Sequence, residues 1–360
     1  MKSKASKPTF WQALPRPFFV LAPMANVTDS VFRKLFAKYG KPDVTWTEFV
    51  SADGLVSPGR KNLLHDLEYS PKERPIVAQL FTGHPDAMKK AAALAAKLKF
   101  DGLDINMGCP DRTVEKQGGG AANILQPENA LKVLAAARAG FKIGSKTGPV
   151  SVKTRLGYNK VDMEWIRLLL EQKLPALTIH LRTRKEMSDV PAHWELMPEI
   201  VKMRDGICPE TLIIGNGDVM SLDDADAKAR ASGCDGIMIG RGIFGKPWFF
   251  ERLSGNNYDR SHFQKVAEKT PVERLNILVE HTKLFQKTFG PKKGTKSKNG
   301  QPPRGIKSFA VMRKHFKAYV NGFDGAKELR AELMLAEDAK QVAKTVKNWL
   351  VKQAIDTRIV

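Results

Sequence analysis

Apolar and polar positions along the first two thirds of the chain come in short, regularly spaced bursts. Residues 18–22, 44–50, 76–81, 102–107, 150–156, 176–181, 212–216 and 236–239 are apolar or β-branched runs, which reads as a series of buried strands. Between several of them the apolar residues recur at three- and four-residue spacing. That period predicts helices over 29–39, 85–98, 127–137, 162–172 and 222–231. Asp29 and Ser221 are placed to cap two of these, and Pro85 and Pro127 suit a first helical turn.

Strand–helix units repeated in this way predict a closed (β/α)8 barrel. An open doubly wound sheet is the rival, and it usually carries a GxGxxG loop after its first strand. Here that turn is Ala22-Pro23-Met24-Ala25-Asn26, which has no glycine and favours the barrel. Beyond Phe250 the strand signal stops. Segments 271–289 and 307–351 have helical spacing, with Phe309, Met312, Phe316 and Tyr319 in phase. Between them the Lys-, Gly- and Pro-rich stretch 290–305 reads as a loop or linker. The expected organisation is a barrel domain over 1–255 and a small helical domain over 256–360.

Charge sharpens that division. The chain carries 59 Lys and Arg against 38 Asp and Glu, a net charge of +21. Residues 1–255 hold 37 basic and 28 acidic side chains, whereas residues 256–360 hold 22 and 10. Eleven Lys and Arg lie between His281 and Phe323 with no acidic residue among them. A surface that only aids solubility needs no such concentration, so polyanion binding, most simply to nucleic acid, is the better reading. No apolar run approaches the ~20 residues that cross a bilayer, and residues 1–7 lack the apolar core of a signal peptide. The three cysteines, Cys109, Cys208 and Cys234, are too scattered for a metal cluster, and an odd number argues against a disulfide framework. A soluble protein of a reducing cytoplasm is expected, with no metal and no membrane contact.

Barrel enzymes work at the C-terminal ends of their strands. Polar residues gather there: Glu48, Gln79, Asn106 with Cys109, Lys153 with Arg155, His180 with Arg182 and Arg184, Asn216 and Arg241. One such residue is as readily structural as functional, but seven strand ends together predict a shared pocket. Gly215-Asn216-Gly217-Asp218 and Gly240-Arg241-Gly242 close the seventh and eighth strands, where barrels bind phosphate through glycine backbone. Lys153 is either a cation facing an electron-rich ring or one half of a structural salt bridge. The glycine-rich segment 118–122 is either a loop that closes over a substrate or a plain connection.

These motifs resemble the dihydrouridine synthase family. The resemblance rests on Ala22-Pro23-Met24-Ala25-Asn26-Val27-Thr28-Asp29, Asp104-Ile105-Asn106-Met107-Gly108-Cys109-Pro110 and Val152-Lys153-Thr154-Arg155-Leu156-Gly157. It continues through Ile179-His180-Leu181-Arg182-Thr183-Arg184 and the two glycine motifs, and reaches the tail around Arg313-Lys314-His315-Phe316. Asn26 and Leu181 stand where glycine is common in that family. The resemblance implies an FMN enzyme that reduces the C5=C6 bond of selected uridines in tRNA, with NADPH as reductant. At the matching positions, Pro23 and Met24 would touch the flavin, and Gln79, Lys153 and His180 would surround its ring. Gly215, Asn216, Gly217, Gly240 and Arg241 would hold its phosphate. Asn106, Arg155, Arg182 and Arg184 would face the uridine and its neighbours, and Lys292, Lys293, Arg313 and Lys314 would meet RNA in the basic tail.

In that chemistry reduced FMN delivers hydride to uracil C6 and Cys109 donates a proton to C5. An ordinary thiol, with a pKa of ~8.5, is mostly protonated at neutral pH and can serve as the acid. A buried structural thiol is the common fate of free cysteine, but Cys109 sits in a loop between Gly108 and Pro110 after a strand end. Cys208 and Cys234 match no motif. The reacting base must leave its stack to meet a flavin, which leaves the basic domain to grip RNA shape and phosphates. No protein partner is implied, and a monomer is expected. Two other readings compete. A barrel flavoenzyme for small molecules would leave the basic tail without a purpose, and a non-catalytic RNA-binding barrel would not need Cys109, Lys153 and His180.

Overall fold

The computed structural model describes residues 9–251, 268–291 and 305–356 of the chain. Lys292 and Lys293, with most of the stretch 290–305, lie outside the described residues.

All eight expected strands form: β1 (Phe18–Leu21), β2 (Thr45–Ser51), β3 (Ile76–Phe81), β4 (Gly102–Met107), β5 (Val150–Arg155), β6 (Ala176–His180), β7 (Leu212–Asn216) and β8 (Gly236–Ile239). They lie parallel in one sheet in the order β1-β8-β7-β6-β5-β4-β3-β2. Its two end strands meet through a bridge between Val20 and Val44, flanked by a 2.9 Å hydrogen bond from the Asp43 N–H to the Phe19 carbonyl. The sheet is thereby closed into a barrel, as predicted. Between strands run α1 (Ser30–Tyr39), α2 (Ala52–Val56), α3 (Pro85–Lys97), α4 (Arg112–Lys116), α5 (Pro127–Gly140), α6 (Met163–Leu170), α7 (Met197–Ile207) and α8 (Leu222–Ser232). Ser221 caps α8 by accepting from the Asp224 N–H, and Pro85 and Pro127 occupy the first turns of α3 and α5.

Strand alternation decides what faces the barrel axis. Phe18, Val20, Trp46, Val77, Ala176, Leu212, Ile214 and Met238 share one buried cluster with Trp11, whose ring lies 5.8 Å from that of Trp46. On the same parity, further along the strands, the positions turn polar: Gln79, Asp104, Asn106, Ser151, Lys153, His180 and Asn216. An apolar plug therefore underlies a polar layer, and the polar layer is where a site can form.

By packing, the chain divides at Gly242, and α1 leaves with the second part: Val31–Gly40 group with the residues from Ile243 onward. Val31 shares one core with Trp248, Leu275, Phe285, Met312, Phe316, Tyr319 and Leu329, and Phe36 meets Phe250 edge-on at 5.8 Å. The boundary expected at 255 follows the end of the strand signal and the change in charge, whereas the packing divides at 243. Among the described residues, the unit's remaining α-helices are α9 (Pro271–Phe289), α10 (Met312–Tyr319), α11 (Ala326–Met334) and α12 (Ala339–Asp356). The helical period read over 307–351 is thus broken twice. One break is the turn holding Gly322 and Gly325, at φ 70° and 75°, a left-handed conformation that glycine adopts without strain.

His281 and His315 are buried in this core with ring centroids 4.6 Å apart, and both pack on Phe32. Burial pushes His315 down to about 3 and His281 well below its ordinary 6.5. The unfolded chain takes up protons below that ordinary value while the folded core refuses them, so stability falls as pH drops from 7 towards 5. Urea unfolding followed by hydrogen exchange in α9 and α10 is expected to show a lower midpoint at pH 5 than at pH 7. His315→Phe should remove part of the difference. Identical midpoints for the wild type at the two pH values would rule out a neutral buried pair.

Candidate active site

A cleft of about 320 Å³ opens at the C-terminal ends of the strands. Pro23 and Met24 line it after β1, Asn106 and Cys109 at β4, Lys153 and Arg155 at β5, and His180 and Arg182 at β6. Asn216 and Gly217 at β7 and Gly240 and Arg241 at β8 complete the ring. Phe49, Ser188 and Met220 also line the cleft and were not singled out from sequence; only the place of Phe49 near the end of β2 could have suggested it. The loop after β1 is held by Glu48, which accepts from the Asn26 N–H. Asn26 has φ 54°, the left-handed region that glycine fits best and asparagine tolerates.

Cys109 is half-buried and its backbone is fixed. The Asn106 carbonyl oxygen Oδ1 accepts from the Cys109 N–H at 2.9 Å and from the Gly108 N–H at 3.1 Å. On the other side, the Ala121 N–H donates to the Cys109 carbonyl at 2.9 Å. Gly120, at φ 59°, lies so close that a Cβ there would sit 2.5 Å from the Cys109 carbonyl oxygen. The segment 118–122 is therefore packed against the cysteine loop in this structure. Burial pushes the Cys109 thiol up from its ordinary range, so it stays protonated at neutral pH.

Lys153 forms no ion pair with any described residue, so it is not half of a salt bridge. The protein packed around it pulls its ammonium down to about 8, and neighbouring Arg155 adds to the effect. Asp104 lies deeper on the adjacent strand and is fully buried, which pushes its carboxyl up to about 6. His180 is held well below its ordinary value by burial and by the surrounding cations, so it is neutral. Arg182 Nη1 lies 3.2 Å from His180 Nε2, and a guanidinium can only donate. His180 Nε2 must therefore accept, which puts the imidazole proton on Nδ1.

The arginines do different work from one another. Arg155, 6% exposed, donates from Nε to the Gly108 carbonyl (2.8 Å) and from Nη1 to the carbonyls of Thr183 (2.9 Å) and Met187 (3.1 Å). It ties the cysteine loop to the loop after β6. Arg182 donates to the Val190 carbonyl (2.6 Å) and to Asp218, which also accepts from Arg241 Nη2 at 2.6 Å. Burial opposes the charge of Asp218, yet the hydrogen bond from Arg182 holds its carboxyl below the usual range. Arg184 lies outside the cleft lining, bonded to Glu115 (Nε to Oε1, 2.9 Å). On the helical unit, Arg313 and Lys314 are exposed on α10.

Two further expected cofactor contacts are not at the cleft surface. Gln79 is fully buried one layer down, with Nε2 on Asp104 and Oε1 on Asn106. Gly215 has the opposite parity to Asn216 and points away from the axis, where a Cβ would lie 2.6 Å from the Trp194 ring. Its glycine answers to packing against that indole. Leu181, by contrast, sits in the glycine-rich family position without disturbing the strand, since its N–H still donates to the Asn216 carbonyl at 2.9 Å.

A closed (β/α)8 barrel with a thiol, an unpaired ammonium and a neutral imidazole at its C-terminal mouth defines a barrel of the enzyme class. The chain belongs to the dihydrouridine synthase family, whose model, "Dihydrouridine synthase (Dus)", matches residues 20–356. It is 38% identical over 356 residues to a "Probable tRNA-dihydrouridine synthase" of Staphylococcus aureus (strain COL), covering 98% of this chain and 99% of that one. It is 41% identical over 336 residues to a "Probable tRNA-dihydrouridine synthase 2" of Bacillus subtilis (strain 168), covering 92% and 94%. Among solved structures, a 2-naphthoyl-CoA reductase complex aligns with a TM-score of 0.50 at 9% identity, over 65% of this chain and 49% of that one. That last likeness is one of fold alone. No helix among the described residues is long and apolar enough to cross a membrane.

Proposed function

We propose that this protein reduces the C5=C6 bond of uridines in tRNA, with bound FMN as the cofactor, NADPH as the reductant and Cys109 as the proton donor. The observation that carries the reading is the half-buried, protonated Cys109 thiol, held by Asn106 in the same cleft as an unpaired Lys153 ammonium. The cleft suits a flavin phosphate ester. At Gly240 a Cβ would meet nothing nearer than 3.8 Å, so the backbone lies open beside Arg241. Pro23, Met24, Lys153, His180, Asn216, Gly217, Gly240 and Arg241 would hold the cofactor, with Lys153 supplying positive charge. Bound and reduced, FMN supplies hydride to uracil C6.

The chain's own residues supply the rest. Cys109 holds its proton at Sγ through neutral pH and gives it to C5; the thiolate left behind is reprotonated from solvent, so one hydride and one proton account for both added hydrogens. Neutral His180 offers an Nδ1–H without adding a further charge beside Lys153. Asp218 keeps Arg182 and Arg241 oriented. Exposed Arg313 and Lys314 on the basic helical unit suit RNA phosphates, which fix position without reading sequence. Adding the gene back to a strain that lacks it is expected to restore dihydrouridine at particular tRNA positions, read by mass spectrometry of digested RNA. Unchanged dihydrouridine content between the strains would overturn the proposal.

A further inference from the structure

Four polar side chains at and below the cleft floor form one chain of hydrogen bonds that ends on the cysteine loop. Ser151 Oγ donates to Asp104 Oδ1 (2.5 Å) and Gln79 Nε2 to Asp104 Oδ2 (2.7 Å). Asn106 Nδ2 donates to Gln79 Oε1 (3.0 Å), and Asn106 Oδ1 accepts from the Gly108 and Cys109 N–H groups. Gln79 and Asp104 are fully buried and Asn106 is 5% exposed, so water cannot substitute for a missing partner.

The two ends of this chain fix its direction. An ionised carboxylate only accepts, so Gln79 must turn its NH2 towards Asp104. Its Oε1 then faces Asn106, which must answer with its own NH2. That leaves Asn106 Oδ1 for the two backbone N–H groups, which are donors and accept nothing else. Flipping either amide would set donor against donor and acceptor against acceptor inside a buried network, the arrangement that costs most. Asp104 does not reach the cleft surface, and the reaction as described does not use it.

We infer that Asp104 is a positioning residue: acting through Gln79 and Asn106, it sets the hydrogen-bond polarity that holds the Cys109 loop and so aims the thiol. The inference rests on the reading of Cys109 as proton donor, but the geometry it concerns can be measured without turnover. Asp104→Asn keeps the size and loses the acceptor-only character, so both orientations of Gln79 become available. Gln79→Glu is more telling. A neutral Glu at 79 donates to Asp104 and accepts from Asn106, as glutamine does. An ionised Glu at 79 instead faces the Asp104 carboxylate and breaks the chain, so its effect must depend on pH.

The test labels the thiols of the full chain with a dithiopyridine reagent and reads each cysteine by mass spectrometry. Buried Cys208 and Cys234 report any general loosening of the fold. Asp104→Asn is expected to raise the Cys109 labelling rate about fivefold over wild type, the population change expected from one hydrogen bond. In Gln79→Glu the ratio to wild type should lie near one at pH 7, where wild-type Asp104 is ionised and the two carboxyls of the variant share one proton, and rise about fivefold by pH 8.5 as that proton is lost. Cys208 and Cys234 should stay protected in both. Wild-type labelling of Cys109 in both variants at every pH would overturn the inference. So would a rise of equal size at all three cysteines, since the chain would then support the whole barrel and not this loop. Because no uridine is consumed, failure here is distinct from failure of Cys109 as the acid.

Discussion

Replacing Cys109 with alanine is expected to cut dihydrouridine formation by roughly 10²–10⁴-fold, the usual cost of losing a positioned proton donor. The loss should be confined to product formation. Residues assigned to the cofactor, Lys153, Asn216, Gly240 and Arg241 among them, are untouched, so flavin content and NADPH oxidation should stay near wild type. The backbone of position 109 supplies the hydrogen bonds to Asn106 and Ala121, and alanine retains them. The pH profile of the wild-type enzyme follows from the same thiol. A proton donor works below its pKa, and burial raises that of Cys109. Single-turnover uridine reduction should therefore hold level through neutral pH and fall only in the alkaline range. A Cys109→Ala enzyme with wild-type product yield at neutral pH would remove the thiol from the reaction. Lys153, pulled down to about 8, loses its charge in the same alkaline range, so only a decline complete below pH 7 would do the same for a protonated thiol.

Arg155→Lys should lower turnover about 100-fold, the order of loss that a small misplacement of reacting groups produces. The guanidinium bridges the carbonyls of Gly108 on one side and of Thr183 and Met187 on the other. A lysine ammonium is a single point and cannot span both loops from a buried stem. Hydrogen bonds to a charged group are worth ~1.5–3 kcal/mol each, so the lost contacts should also loosen the loop after β6. A residue that bound the uridine would show its loss mainly in KM. Arg155, bonded to backbone on both sides, should show it in kcat, with KM little changed and with faster proteolysis between Thr183 and Val190. Turnover within about tenfold of wild type would overturn the bridging role, and a change confined to KM would assign Arg155 to substrate contact instead.

Much of this architecture was legible one residue at a time. Runs such as 76–81 and 102–107 are strands because they are apolar and bounded by turn residues, and the glycine-free turn after β1 favoured the barrel over the open sheet. Lys153, His180, Asn216 and Cys109 were found because strand ends in a barrel converge, so polar residues at those places must meet. Where expected residues stand apart from the cleft lining, the causes are equally local. Gly215 lies in a phosphate-like motif, but strand alternation turns it outward against Trp194. Gln79 has the right parity and the wrong depth, since the pairing register sets it beside Asp104, one layer below Asn106. Arg184 shares a motif with Arg182, yet Glu115 from a distant helix captures it.

The sequence by itself determined the number of barrel strands, the closed barrel, the basic helical tail and the family, because each follows from periodicity, composition or motif order along the chain. Tertiary structure alone decided three things. It assigned α1 to the helical unit, since Val31 and Phe36 find their apolar partners more than two hundred residues away, beyond the reach of any local pattern. It separated cleft residues from their supports, because register and depth exist only once strands pair. It also joined Asp104, Gln79 and Asn106 into one directed chain under Cys109, since a hydrogen bond's direction depends on which partner lies opposite, and only the folded barrel supplies that partner.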